Sequence, residues 1–305
     1  MTTTAPKQGT NLLYALIAEA RGYSDAIILG RGDPDFDTPP HIIEAAKQAM
    51  IEHHADDVPP EGLLSLRQAI SERVKRVNGI EADAETEIVV TNGGQEALLL
   101  MVLTALGPGD EIIIPEPNYN TYHDALKFAR VNKVSIPSSA ETHFRTDPEK
   151  VRAAVTERTR ALLLVSPNNP TASVIPQDDL QALIGVAAEH DLIIIADDIY
   201  DLFIYDDYKH VSPASLPGGK ERTLTLNALS KSFAMTGWRL GWVTGPADLI
   251  QRTKALKAGI TGGTSIISQY AGLAALTGPQ EPVQMMAEAY TRRRRLVMDA
   301  LDDMG

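Results

Sequence analysis

The sequence predicts an α/β fold built on a mostly parallel sheet with helices on both faces. Short apolar runs alternate along the chain with longer segments of helical period. Several of those runs are continuous in Val, Ile and Leu rather than alternating, as in strands covered on both sides. The helix-length segments between them give the spacing of successive βαβ units.

The expected strands are Ile88–Val90, Glu111–Ile114, Val131–Ile136, Ala161–Val165, Leu192–Ala196, Thr223–Leu226 and Leu240–Thr244. Pro40 opens the first expected helix, with Ile42, Ile43, Ala46 and Met50 on one face. Further helices are expected over Leu64–Val77, Gln95–Leu106, Tyr119–Ala129, Pro148–Val155, Gln177–His190 and Pro246–Ala258. After Gly245 no strand is expected, and the last helical pattern runs from about Pro282 to Met304. Its run Arg292–Arg295 reads as a solvated helix face, with an anion site as the alternative.

Composition narrows the function. The chain of 305 residues carries 28 Lys+Arg against 40 Asp+Glu, a formal charge of −12. That balance argues against a nucleic-acid surface, which rests on phosphate neutralisation by cations. It leaves small anionic ligands open, since these need only a local positive patch. The absence of cysteine excludes a disulfide scaffold, thiolate catalysis and Cys-type metal sites. The polar start of the chain and the shortness of its apolar runs fit neither a signal core nor a membrane helix. The expectation is a soluble, cytoplasmic protein.

In such a sheet, ligands bind beyond the carboxyl ends of the strands, and five segments there carry conspicuous polar residues. Thr91-Asn92-Gly93-Gly94-Gln95 leads into a helix; by itself it is either a phosphate cradle or an ordinary tight turn. Tyr119, after the second strand, either stacks on a flat ring or packs on its own helix. Ser166-Pro167-Asn168-Asn169-Pro170-Thr171 is a stiff loop that aims an amide, or simply a turn. Asp197, at a buried strand tip, calls for a positive partner: a cationic ring nitrogen if it is functional, a helix cap or a salt bridge if it is structural. Most informative is Ser230-Lys231-Ser232-Phe233-Ala234-Met235-Thr236-Gly237-Trp238-Arg239. Small and apolar neighbours favour a neutral, nucleophilic amine at Lys231, and the planar fork of Arg239 suits phosphate.

Together with Gly32-Asp33-Pro34-Asp35-Phe36-Asp37-Thr38-Pro39 and Pro59-Pro60-Glu61-Gly62, these segments resemble, in order and spacing, the fold-type I pyridoxal-phosphate-dependent aminotransferases of classes I and II. The resemblance implies the large domain of a pyridoxal-phosphate-dependent transferase. It implies residues 1–39 as an N-terminal arm and segment, 40–278 as the cofactor-binding domain and 279–305 as the start of a helix leading to a small domain. Lys231 would hold pyridoxal 5'-phosphate as an internal aldimine and act as general base and acid. Asp197 would keep the pyridine nitrogen protonated, Asn169 and Tyr200 would bond the phenolic oxygen, and Tyr119 would stack on the ring. Gly94, Gln95, Ser230 and Arg239 would hold the phosphate, and Gly32 would lie against the substrate carboxylate. An amino acid and a 2-oxo acid are the implied substrates, and a homodimer the implied assembly.

Three departures stand out. Asp57 occupies the position where the family usually has a Tyr that reaches the partner's phosphate, so that role is not carried over. Asn169-Pro170-Thr171-Ala172 replaces the usual Asn-Pro-Thr-Gly, which puts the turn geometry in question. The chain also stops at Gly305, before the small domain that supplies the carboxylate-clamping arginine, as in a truncated gene model, a fragment or a variant lacking it. The primary expectation is amino-group transfer. The competing ones are a C–S lyase or decarboxylase on the same cofactor, and a cofactor-binding protein without activity.

Overall fold

The computed structural model describes residues 12–27, 29, 32–53 and 57–305. The chain divides into two compact units, Met1–Asp35 and Phe36–Gly305. Within the first, α1 (Leu12–Ala20) is the one regular element among the described residues. The aspartate expected to replace tyrosine, Asp57, accepts a bond from Val58 N at 3.0 Å.

The second unit is organised by seven strands: β1 (Ile88–Thr91), β2 (Glu111–Glu116), β3 (Asn132–Pro137), β4 (Thr159–Val165), β5 (Ile193–Asp197), β6 (Thr223–Ala228) and β7 (Gly241–Thr244). Their order is β1-β7-β6-β5-β4-β2-β3. The pairs among β2, β3, β4, β5 and β6 are parallel, and β7 is antiparallel to both β6 and β1. β1 therefore runs in the same direction as β6, and β7 alone is reversed. Six strands thus end at one edge of the sheet, and β7 begins there.

Period-two alternation sorts the apolar strand residues between two faces. Val89, Ile112, Ile114, Leu163, Ile195, Leu226 and Val243 join one core cluster with α4 (Gly94–Ala105), α5 (Thr121–Ala129) and α9 (Ala247–Ile260). Opposite them, Ile113, Leu162, Leu164 and Ile194 pack with α6 (Pro148–Ala154) and α7 (Gln177–Glu189). Ile88, Val90 and Trp242 face α2 (Pro40–Glu52), α3 (Leu64–Asn78) and α10 (Ile266–Thr277). Both faces are covered, which is why several strands read as continuous apolar runs.

The helix ends follow local chemistry. Asp147 caps α6 by accepting from Glu149 N at 2.9 Å, with Pro148 next to it. Gly79 stops α3 in the left-handed conformation at φ 69°. On α2 the buried face is Ile42, Ala46 and Ala49, whereas Ile43 and Met50 are exposed, correcting the expected apolar stripe. α11 (Glu281–Met304) ends the chain, and its arginine run is only partly a solvated face. Arg294 pairs with Asp206 at 2.9 Å, and Arg293 lies over the Phe36 and Tyr290 rings.

Candidate active site

Register brings the polar segments to the common edge. Asp197 is the last residue of β5, level with Val165 of β4 on one side and Leu226 of β6 on the other. Ser166 to Asn169 therefore leave the sheet beside Asp197. On its other side, Ser230 and Lys231 follow within α8 (Leu229–Ser232), which begins directly after β6. Gly241, the first residue of β7, pairs with both Ala228 and Thr91, so Arg239 arrives at the same edge as the turn after β1.

Asp197 is only 8% exposed. Tyr122 Oη donates to its Oδ2 at 2.8 Å, and Ile199 N donates to its Oδ1 at 3.1 Å. Both donors are neutral. Burial dominates and, with the neighbouring Asp198 carboxylate, pushes the Asp197 pKa up to about 6. Burial, and then the Asp197 charge, push the Tyr122 phenol well above its usual range, so Tyr122 remains a donor. Tyr119 meets the Tyr122 ring edge-on, with centroids 5.9 Å apart, and is itself 37% exposed. Tyr200, three residues after Asp197, is half-buried.

Behind this strand tip lies a buried ionic network. Arg73 Nη1 is 2.8 Å from Asp201 Oδ2, which also accepts from Asn78 at 2.9 Å and Asn227 at 2.8 Å. His210 Nε2 lies 3.2 Å from Asp198 Oδ2. Burial opposes a charge on His210, but Asp198 outweighs it and raises the pKa. Arg73 and Asp201 could not be singled out in the sequence, because they are 128 positions apart.

The turn after β1 has the shape of an anion cradle. Gly93 takes φ +83°, and a Cβ there would come within 2.6 Å of Arg239 Nη2. A Cβ on Gly94 would touch Ile199, Leu226 and Ala228 at 3.6–3.9 Å, so the start of α4 abuts the tips of β5 and β6. α4 has no side-chain N-cap, and free N–H groups at a helix start favour an anion. Arg239 Nη1 donates to Thr236 O at 3.2 Å, which orients the guanidinium along the loop. Thr38 Oγ1 donates to Ala234 O at 2.7 Å and accepts from Trp238 Nε1 at 3.0 Å, steadying the Lys231–Arg239 segment. Lys231 is half-buried and Ser230 buried.

The β4 loop keeps its turn despite Ala172. That residue takes φ +57°, and its N–H reaches Asn168 O at 2.8 Å. Asn168 Nδ2 bonds Pro117 O at 3.0 Å, tying the loop to the segment before Tyr119, while Asn169 stands half-buried beside it. Gln95 is exposed on the first turn of α4. Gly32 falls in the N-terminal unit, where it is exposed.

These groups suit pyridoxal phosphate. A buried, poorly compensated carboxylate is matched by a cationic ring nitrogen. A helix start with an adjacent arginine is matched by a phosphate.

Residues 24–305 match the family model described as aminotransferase class I and II. The aspartate aminotransferase of Pyrococcus abyssi is 43% identical over 94% of this chain and 74% of its own length. The arginine–pyruvate transaminase of Pseudomonas aeruginosa is 42% identical over 95% of the chain and 73% of its own. Among solved structures, the Pyrococcus horikoshii aromatic aminotransferase superposes with a TM-score of 0.89 at 43% identity, covering 95% of this chain and 78% of that one. The Thermus thermophilus aspartate aminotransferase with maleate superposes at 0.92 and 37% identity, covering 100% and 81%.

The chain belongs to the class I and II aminotransferases. Members of this family use pyridoxal phosphate, and the reaction is amino-group transfer between an amino acid and a 2-oxo acid on that cofactor. Among the described residues no helix is long and apolar enough to cross a membrane.

Proposed function

We propose that this chain carries out transamination with Lys231 as the residue that binds the cofactor and moves the proton at the substrate Cα. When bound, pyridoxal phosphate supplies the electron sink that accepts the pair left at Cα. Lys231 stands at the tip of β6, next to the strand that delivers Asp197, so one amine serves both attachment and general acid–base work. Asp197, held by Tyr122, pairs with the ring nitrogen and keeps it positive. Asn169 and Tyr200 hold the phenolic oxygen, and Tyr119 covers the ring face. Gly94, Gln95, Ser230 and Arg239 bind the phosphate.

The observation that carries this reading is the buried Asp197 carboxylate, whose two donors are neutral and whose environment disfavours its charge. The domain division proposed is an N-terminal arm over 1–39, a cofactor-binding domain over 40–278 and a connecting helix over 279–305. A cytoplasmic homodimer is part of the proposal and rests on the family resemblance.

Relatives of similar identity are named for aspartate, aromatic amino acids and arginine. The test therefore offers the loaded protein acidic, aromatic and basic amino acids, and a β-thioether amino acid, without an oxo acid. Pyridoxamine phosphate and the matching oxo acid are the expected products. Ammonia with pyruvate identifies an eliminating enzyme instead, carbon dioxide a decarboxylase, and no turnover a cofactor-binding protein without activity.

A further inference from the structure

Lys257 of α9 is fully buried, at 0% exposure, and lies outside the five polar segments at the carboxyl edge of the sheet. Its Nζ is 3.0 Å from Glu96 Oε2 and 3.2 Å from Thr261 Oγ1. Glu96 sits in the first turn of α4, three residues beyond the N-terminal Gly93, and Thr261 Oγ1 also donates to it. Its Oε2 accepts from Asn92 N at 2.6 Å and its Oε1 from Asn92 Nδ2 at 3.0 Å. Asn92 O in turn faces Arg239 Nη2 at 3.4 Å. One carboxylate thus clamps the residue that opens the glycine turn, and a cation from another helix holds that carboxylate.

This arrangement poses an electrostatic problem. A carboxylate stabilises the start of a helix, but it opposes a second anion bound at the same end. Burial disfavours the Glu96 charge, yet the Thr261, Asn92 and Lys257 donors prevail and hold its pKa below the usual value. Glu96 therefore stays negative beside the turn and needs a counter-charge that solvent does not screen.

We propose that Lys257 is a positioning residue for the cofactor phosphate. It cancels the Glu96 charge, so that Glu96 fixes the Asn92–Gly94 turn without repelling an anion bound at that turn. The inference rests on the reading of that turn and Arg239 as the phosphate site. It makes the buried pair part of cofactor selection rather than only a strut between α4 and α9.

The test uses the cofactor-free protein and titrates pyridoxal phosphate and, separately, pyridoxal by absorbance. Lys257→Met should weaken pyridoxal phosphate by about 10- to 100-fold, the scale of one unscreened unit charge across a loop. Pyridoxal, which lacks the anion, should change by less than about threefold, within the range of a weak surface-type charge effect. Adding Glu96→Gln to Lys257→Met removes the uncompensated charge and should recover most of the loss.

Equal weakening of both ligands, or a double variant no better than Lys257→Met, overturns the proposal. If Lys257→Met does not fold, the electroneutral double variant decides. Retention of the wild-type preference for the phosphate form supports the account, and loss of that preference overturns it. Should the wild-type protein itself bind pyridoxal as tightly as pyridoxal phosphate, the phosphate-site reading fails instead.

Discussion

Asp197 closes β5 with a carboxylate whose pKa rises from 3.8 to about 6, first through burial. The folded chain binds this proton more tightly than the unfolded chain does. Without cofactor, stability therefore falls as pH rises from 3.8 through about 6, to a deficit of about 3 kcal/mol above that window. His210, whose pKa is also raised, adds stability below its unfolded value of 6.5 that is lost as pH rises through the folded value. Asp197→Asn should stabilise the cofactor-free protein at pH 7.5 by about 1–3 kcal/mol in denaturant unfolding and flatten its profile between pH 4 and 6. The same variant should lose amino transfer. A less stable variant with an unchanged profile would contradict this account of the site's charge.

Ala172 poses a backbone question at the same scale. It holds φ +57°, a conformation that costs a residue with a Cβ about 1–2 kcal/mol. Glycine avoids that cost but loses more entropy on folding. Ala172→Gly should stabilise the chain by up to about 1 kcal/mol in thermal or denaturant unfolding, with activity retained. The family's usual glycine is thus explained by the turn, which survives here with alanine.

At the scale of elements, the turn between β1 and α4 carries the sharpest steric demand. Gly93→Ala would place a methyl 2.6 Å from the Arg239 guanidinium at a φ of +83°. Pyridoxal phosphate affinity should fall by about tenfold or more through displacement of Arg239, equivalent to about 1.4 kcal/mol. Absorbance titration of the cofactor-free variant measures it. Unchanged affinity would detach this turn from the phosphate.

Elements were legible where a single physical signal set them. All seven strands lie within two residues of their expected ends, and burial on both faces gives several of them, such as β4 and β5, continuous apolar runs. The four-residue α8 was not legible, since one turn of helix leaves no period to read. α1, though apolar, lay in a segment read only as an arm. Of the proposed site residues, Lys231, Asp197 and Arg239 stand out by motif and strand position. Tyr122 was not, because its partner is 75 residues away, and an aromatic early in a helix reads equally as core.

Across the whole molecule, the outer side of α11 exposes Leu296, Val297, Leu301 and Met304 at 56–73%. Exposed apolar residues in that number mark a surface that another group covers. The chain spans about 74% of the length of the Pyrococcus abyssi relative. The proposed homodimer predicts a light-scattering mass twice the 33.0 kDa of one chain. A single-chain mass would contradict it.

The account depends most on the amine at position 231. The direct measurement is borohydride reduction of the loaded protein followed by mass mapping of its peptides. Irreversible cofactor attachment on the peptide containing Lys231, together with loss of the visible absorbance band in Lys231→Ala, is the predicted result. Attachment at another lysine, or a band that survives in Lys231→Ala, would contradict it.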